Sequence, residues 1–195
     1  MSYLIKIRLF GKAKKKKKKA SCEVNHLFFR RGYERTPHIT VIQPFYSDDQ
    51  KKVLEIFRKG CNKYRNLGVS VKGVGVFPFH VVYKKVILNS ELIDFQKYLA
   101  RNLESFCSFR GGLRNVYSPH LTIAKKLNLF SFFLIWVYSL IRFRFNFSHK
   151  VIRVTLLKKG KILYEYDFVQ KRLLNRGQAL SKNLLKKTFS LLKPT

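Results

Sequence analysis

The chain has 195 residues, 46% hydrophobic and 15% aromatic, with a formal net charge of +31. That is enough apolar material for one globular domain or two small packed lobes, and it excludes a disordered composition. So large an excess of Lys and Arg repels itself unless a polyanion neutralises it, which points to nucleic acid first and an anionic membrane surface second. A bias toward Lys with no partner behind it is the alternative.

In chain order, "YLIKIRLF" (3–10) alternates apolar and basic residues and predicts a strand with one solvated face. The N-terminal stretch lacks the unbroken apolar core and small-residue cleavage site of a signal peptide. "KAKKKKKKASCEVNHLFF" follows with helix formers and a late apolar face at Ala20, Val24, Leu27 and Phe28. Its six lysines, Lys14 to Lys19, read as the exposed half of a surface helix, as a targeting run or as an RNA contact. His38 to Gln43 is a short strand. "SDDQKKVLEIFRKGCNKY" is a helix with Ser47 as N-cap and acids in its first turn. "LGVSVKGVGVFPF" and "HVVYKKVILN" are two strands around a turn near Pro78, and Ser90 caps a helix running to about Phe106. "RGGLRNVYSP" is a loop, and His120 to Ala124 is a second short strand.

"LFSFFLIWVYSLI" (129–141) is apolar nearly all round but shorter than the roughly 20 residues a spanning helix needs. It reads as a buried helix or a partner contact, with membrane-surface contact as the other reading. "RFRFNF", "KVIRVTLLKKG" and "KILYEYDFVQ" are strands, with Lys159-Gly160 as a hairpin turn. "KRLLNRGQALSKNLLKKTF" is a basic helical tail. Cys22, Cys61 and Cys107 are isolated and odd in number, which fits a reducing cytoplasm better than a disulfide framework. The Cys and His residues show no zinc spacing.

One phrase occurs twice. "TPHITVIQPF" (36–45) and "SPHLTIAKKL" (118–127) each carry Pro, His, an aliphatic, Thr and a further aliphatic, and each opens an apolar run after a polar loop. In a strand, residues i and i+2 share a face. His38 and Thr40 therefore point one way while Ile39 and Val41 fill a core, and the same holds for His120 and Thr122 against Leu121 and Ile123. The two phrases fall once in each half of an α+β chain, so two facing lobes would bring them together. Two imidazoles across a groove can serve as base and acid on opposite sides of a phosphorus, and two hydroxyls can hold its non-bridging oxygens. That is phosphodiester transfer or hydrolysis using side chains alone.

The paired "HIT" and "HLT" resemble the two His-x-Thr/Ser motifs of the 2H phosphoesterase superfamily, in its branch of RNA 2′,3′-cyclic phosphodiesterases, also called 2′-5′ RNA ligases. "VKGVGVFPFHVVYKKVI" is similar to that family's strand pair between the motifs, and "VIRVTLLKKGKILYEYDFVQKRLL" to its closing hairpin. The resemblance implies two pseudo-symmetric α/β lobes with antiparallel sheets around a central cleft. It implies a bilobal domain over residues 1–178, followed by a basic tail over 179–195. It makes His38 and His120 catalytic, Thr40 and Thr122 phosphate ligands, and Lys125, with Lys126 beside it, an RNA contact. No cofactor and no metal are expected. The implied activity opens a terminal 2′,3′-cyclic phosphate to a 2′-phosphate, with reversible 2′-5′ joining of RNA ends as a further expectation. RNA, including tRNA fragments, is the expected partner, and a cytoplasmic monomer without a membrane span the expected state. Two other readings stay open: a phosphodiesterase of small cyclic-phosphate nucleotides, and a non-catalytic RNA-binding protein on the same fold.

Overall fold

Alternation at the N-terminus produces the strand it predicts. β1 (Ser2–Arg8) buries Tyr3, Ile5 and Ile7 and turns Lys6 and Arg8 to the other face. The structure is a computed structural model, described over residues 1–29, 36–109 and 118–192. The chain continues through α1 (Gly11–Leu27), β2 (His38–Tyr46), α2 (Gln50–Lys63), β3 (Gly68–Phe77), β4 (Val81–Leu88), α3 (Ser90–Glu104) and β5 (Ser108–Phe109). It then forms β6 (His120–Lys125), α4 (Leu129–Arg142), β7 (Phe147–Lys150), β8 (Arg153–Lys158), β9 (Lys161–Asp167), β10 (Arg172–Asn175), α5 (Arg176–Leu180) and α6 (Lys182–Ser190).

The strands make two antiparallel sheets. One has six strands in the order β10-β9-β8-β1-β2-β5, the other four in the order β6-β4-β3-β7. The repeated phrase therefore sits once in each sheet. One apolar core serves both: Ile5, Ile7, Ile39 and Val41 meet Val69, Val71, Val86 and Leu121, with Phe57 of α2 and Phe95 and Leu99 of α3. Each such buried side chain stabilises by roughly 1.5–3 kcal/mol. A second, smaller cluster joins α4 (Phe132, Ile135) and α1 (Ala20, Val24) to Val82 and Ile123 of the four-stranded sheet. The hairpin turn is as expected, with Lys159 and Gly160 both at positive φ, 47° and 74°.

Several elements depart from the sequence expectations. The cap of α2 is Asp49, whose carboxylate accepts from Lys52 N at 2.9 Å, while Ser47 Oγ accepts from Asp49 N. The cap of α3 is Asn89 rather than Ser90, accepting from Leu92 N at 3.0 Å. Residues 143–146 form no strand. The Phe143 carbonyl accepts from the buried Lys84 ammonium at 2.8 Å, and Phe143 and Phe145 pack beneath α4. The tail is not helical from its start. Arg172–Asn175 pairs with β9, burying Leu174, and the helix begins only where Asn175 and Gln178 form a capping box. The expected loop over 110–119 lies outside the described residues up to 117. The apolar stretch 129–141 is helical but not enclosed, since α4 buries only Phe132, Ile135 and Ser139.

Candidate active site

Each repeated phrase builds a platform by strand alternation. Ile39, Val41, Leu121 and Ile123 are buried, and His38, Thr40, His120 and Thr122 are half-buried on the opposite faces. β2 and β6 lie side by side where the two sheets meet, with Cα atoms within 8 Å. Both imidazoles are oriented by the same local device. His38 Nδ1 lies 2.9 Å from the Thr36 carbonyl, and His120 Nδ1 lies 3.0 Å from the Ser118 carbonyl. A carbonyl oxygen only accepts, so Nδ1 carries the hydrogen in each ring. Nε2 is then the nitrogen left to exchange a proton.

The six-stranded sheet surrounds the first motif with cations. Lys6 stands opposite Thr40 and Arg8 opposite His38 in the β1–β2 register. Lys17 is the one residue of the Lys14–Lys19 run that is buried, at 2% exposure. It shares a stripe of α1 with Ala13, Ala20 and Val24, a helical spacing already present in the sequence, although the run reads there as an exposed face. Burial, and then the nearby Lys125 charge, push the Lys17 ammonium down to about 8. Burial is also the main cause that pushes His38 down to about 4, helped by Lys6, Lys17 and Lys125 and opposed by its bond to Thr36. His38 is thus neutral at neutral pH, with a lone pair on Nε2.

Aromatic rings enclose the second motif. His120 meets Phe77 edge-on at 4.9 Å between centroids and Tyr83 at 5.2 Å. Tyr83 stands opposite Thr122 in the β4–β6 register and opposite Gly75 in the β3–β4 register. A Cβ at Gly75 would come within 2.6 Å of the Tyr83 ring, so only glycine lets that ring lie across β3. The sequence flags this glycine-rich strand but not Tyr83 or Phe77 individually.

Behind the first motif runs a buried charge network. Glu165 accepts from Arg8 at 2.9 Å, Thr155 at 2.6 Å and Arg153 at 3.2 Å. Asp167 accepts from Arg153 Nε at 2.8 Å, from Thr188 of α6 at 2.6 Å, and from the backbone N–H groups of Val169 and Gln170. Two guanidiniums meet two carboxylates, so the charges balance, and the hydrogen bonds offset the cost of burying them. The network fixes Arg8 beside His38 and ties the C-terminal helix to the sheet.

The remaining sequence candidates separate. Lys125 is exposed at the end of β6, and its charge reaches His38. Lys126 turns out of the strand at φ 56°, and no contact links it to either motif among the described residues. His80 is exposed on the β3–β4 turn. His149 lies on β7 with a buried Nε2.

The chain belongs to the 2′-5′ RNA ligase superfamily, the 2H phosphoesterases, whose profile matches residues 9–161. No curated protein matches it. Among solved structures it is similar to Usb1 from Kluyveromyces marxianus at 11% identity and a TM-score of 0.47, covering 83% of this chain and 95% of that one. The same protein with uridine monophosphate gives 12% identity and a TM-score of 0.45, with coverage of 83% and 95%. A crystal structure of a phosphoesterase gives 14% identity and a TM-score of 0.45, covering 89% of this chain and 92% of the other. Membership rests on the sequence match.

Proposed function

We propose that the protein is an RNA 2′,3′-cyclic phosphodiesterase whose reaction leaves a 2′-phosphate and, in reverse, joins RNA ends through a 2′-5′ bond. The observation that carries this reading is the matched pair of imidazoles, each with Nδ1 held to the backbone carbonyl two residues earlier, on adjacent strands of two sheets. Neutral His38 takes a proton at Nε2 from the attacking water. The water oxygen bonds to phosphorus, the bond from phosphorus to O3′ breaks, and protonated His120 gives its Nε2 proton to O3′. Thr40 and Thr122 donate to the non-bridging oxygens as negative charge builds there. Lys6 of β1 and Lys17 of α1 offset that charge, and Lys125, with Lys126 beyond it, holds the RNA phosphates.

The test is incubation with an RNA ending in a 2′,3′-cyclic phosphate, followed by identification of the product end. A terminal 2′-phosphate is expected. His38→Ala and His120→Ala should each lower the rate by roughly 10²–10⁴-fold, with the double variant losing far less than the product of the two. RNA affinity should survive both changes. An unchanged RNA end across pH would favour the non-catalytic RNA-binding reading, and turnover of cyclic-phosphate mononucleotides alone would favour a small-nucleotide enzyme.

A further inference from the structure

α4 is a 14-residue helix whose only charged residue is Arg142. One side packs on the face of the four-stranded sheet that carries Val82 and Ile123. His120 and Thr122 occupy the opposite face of β6, so the outer side of α4 looks away from the candidate active site. That outer side holds Leu129, Phe130, Phe133, Leu134, Val137, Leu140 and Ile141, each between 43% and 75% exposed. Their spacing follows the helical period, so they form one continuous stripe about 18 Å long. Phe79 extends it. This residue sits at φ 60° on the β3–β4 turn, is half exposed, and touches Phe132 and Phe133 at 5.7 and 6.4 Å.

An exposed apolar stripe of this size on a water-facing helix marks an interaction surface. Three observations choose the occupant. The stripe is pure hydrocarbon and offers no hydrogen-bonding group to specify a protein partner. Cations stand at its C-terminal end, Arg142 closing the helix and Arg144 following it. α1, with its exposed lysines, is joined to α4 through Glu23, which accepts from Tyr138 at 2.6 Å and Arg142 at 3.0 Å. A second copy of a chain with net charge +31 would be repelled where an anionic surface would be attracted. No helix among the described residues is long and apolar enough to cross a membrane.

We propose that α4 and Phe79 dock the protein flat on an anionic lipid surface, the stripe entering the headgroup–acyl boundary and the flanking cations meeting lipid phosphates and carboxylates. This mode leaves the two motifs facing away from the bilayer, and it does not depend on the proposed reaction.

The chain carries its own reporter, since its one tryptophan, Trp136, lies on α4 at the margin of the stripe. The full-length protein is mixed with vesicles of phosphatidylcholine alone, or with about one-third phosphatidylserine, at about 0.15 M salt. Flotation with the anionic vesicles is expected, with a blue shift of Trp136 emission and quenching by brominated acyl chains. Phe130→Ser with Ile141→Ser alters the two most exposed residues of the stripe, where folding is least affected. The double variant should partition at least about tenfold less and lose the blue shift. Three results would overturn the proposal. One is no flotation. Another is flotation with unshifted, unquenched Trp136 that the double variant retains, which would assign binding to the lysines alone. The third is a dimer of the parent chain that the double variant abolishes, with no vesicle binding, which would assign the stripe to a second copy.

Discussion

At the scale of single residues, His38 is the most informative group. Burial and three lysines hold its proton affinity well below the ordinary value of 6.5, at about 4. If His38 is the base, the acid limb of kcat/KM lies well below the usual histidine range, because that ratio reports the free enzyme. Removing one of the cations favours the protonated form, so Lys17→Met should move the limb to higher pH. A limb that stays in place would separate Lys17 from the site. The same shift affects stability. Between about pH 4 and 6.5 the unfolded chain holds a proton at His38 that the folded chain does not. Stability from this group is therefore full above 6.5 and lost as pH falls through about 4. One such proton changes unfolding free energy by about 1.4 kcal/mol per pH unit. Burial lowers His149 as well and adds with the same sign. Unfolding free energies from urea titrations should fall as pH drops across this window, and His38→Gln should flatten that dependence; equal slopes in both proteins would contradict the burial of a neutral His38.

At the scale of elements, the two motifs are supported differently. β2 is backed by β1 and by the Arg8–Glu165–Arg153–Asp167 network, while β6 is an edge strand of its sheet whose histidine leans on Phe77 and Tyr83. α1 covers that edge, where Ser21 Oγ donates to the Ile123 carbonyl at 3.0 Å. The weak point on this side is Gly75. Gly75→Ala places a methyl 2.6 Å from the Tyr83 ring and must displace it. A loss of about 1–3 kcal/mol in stability is expected, as for other overpacked sites. Activity should fall beyond what the lost stability explains, because the wall beside His120 moves. Denaturant midpoints together with turnover at saturating RNA check this; a variant as stable and as active as the parent would show that the ring can rotate away freely.

For the whole molecule, charge dominates. Lys and Arg number 41 against 10 Asp and Glu, and the buried carboxylates Glu165 and Asp167 are already committed to arginines. Affinity for single-stranded RNA should fall with salt with a log–log slope of about −0.7 for each phosphate neutralised. Replacing Lys14, Lys15, Lys16, Lys18 and Lys19 by Gln should flatten that slope and leave turnover at saturating RNA intact. Lys17 is left in place because its buried ammonium acts on His38. An unchanged slope would mean that the exposed face of α1 points away from the RNA.

Much of the architecture follows from local periodicity. The two His-x-Thr strands, the face each residue takes in them, the Lys159-Gly160 turn and the α+β order are all written in spacings of two to four residues. Caps were legible only to within a position or two, because neighbouring Ser, Asp and Asn compete for the same N–H groups. The meetings between distant segments arise only on folding. Arg8 and Glu165 are 157 positions apart, and no local pattern couples them. Lys17 looks like five other lysines until α1 packs beside β6 and turns that one inward. Tyr83 becomes part of the site only because Gly75 leaves room for its ring. The apolar stretch 129–141 could not reveal which of its sides the sheet would cover. Periodicity records that a face is apolar, whereas burial depends on the element that arrives to cover it, and across the stripe of α4 none does among the described residues.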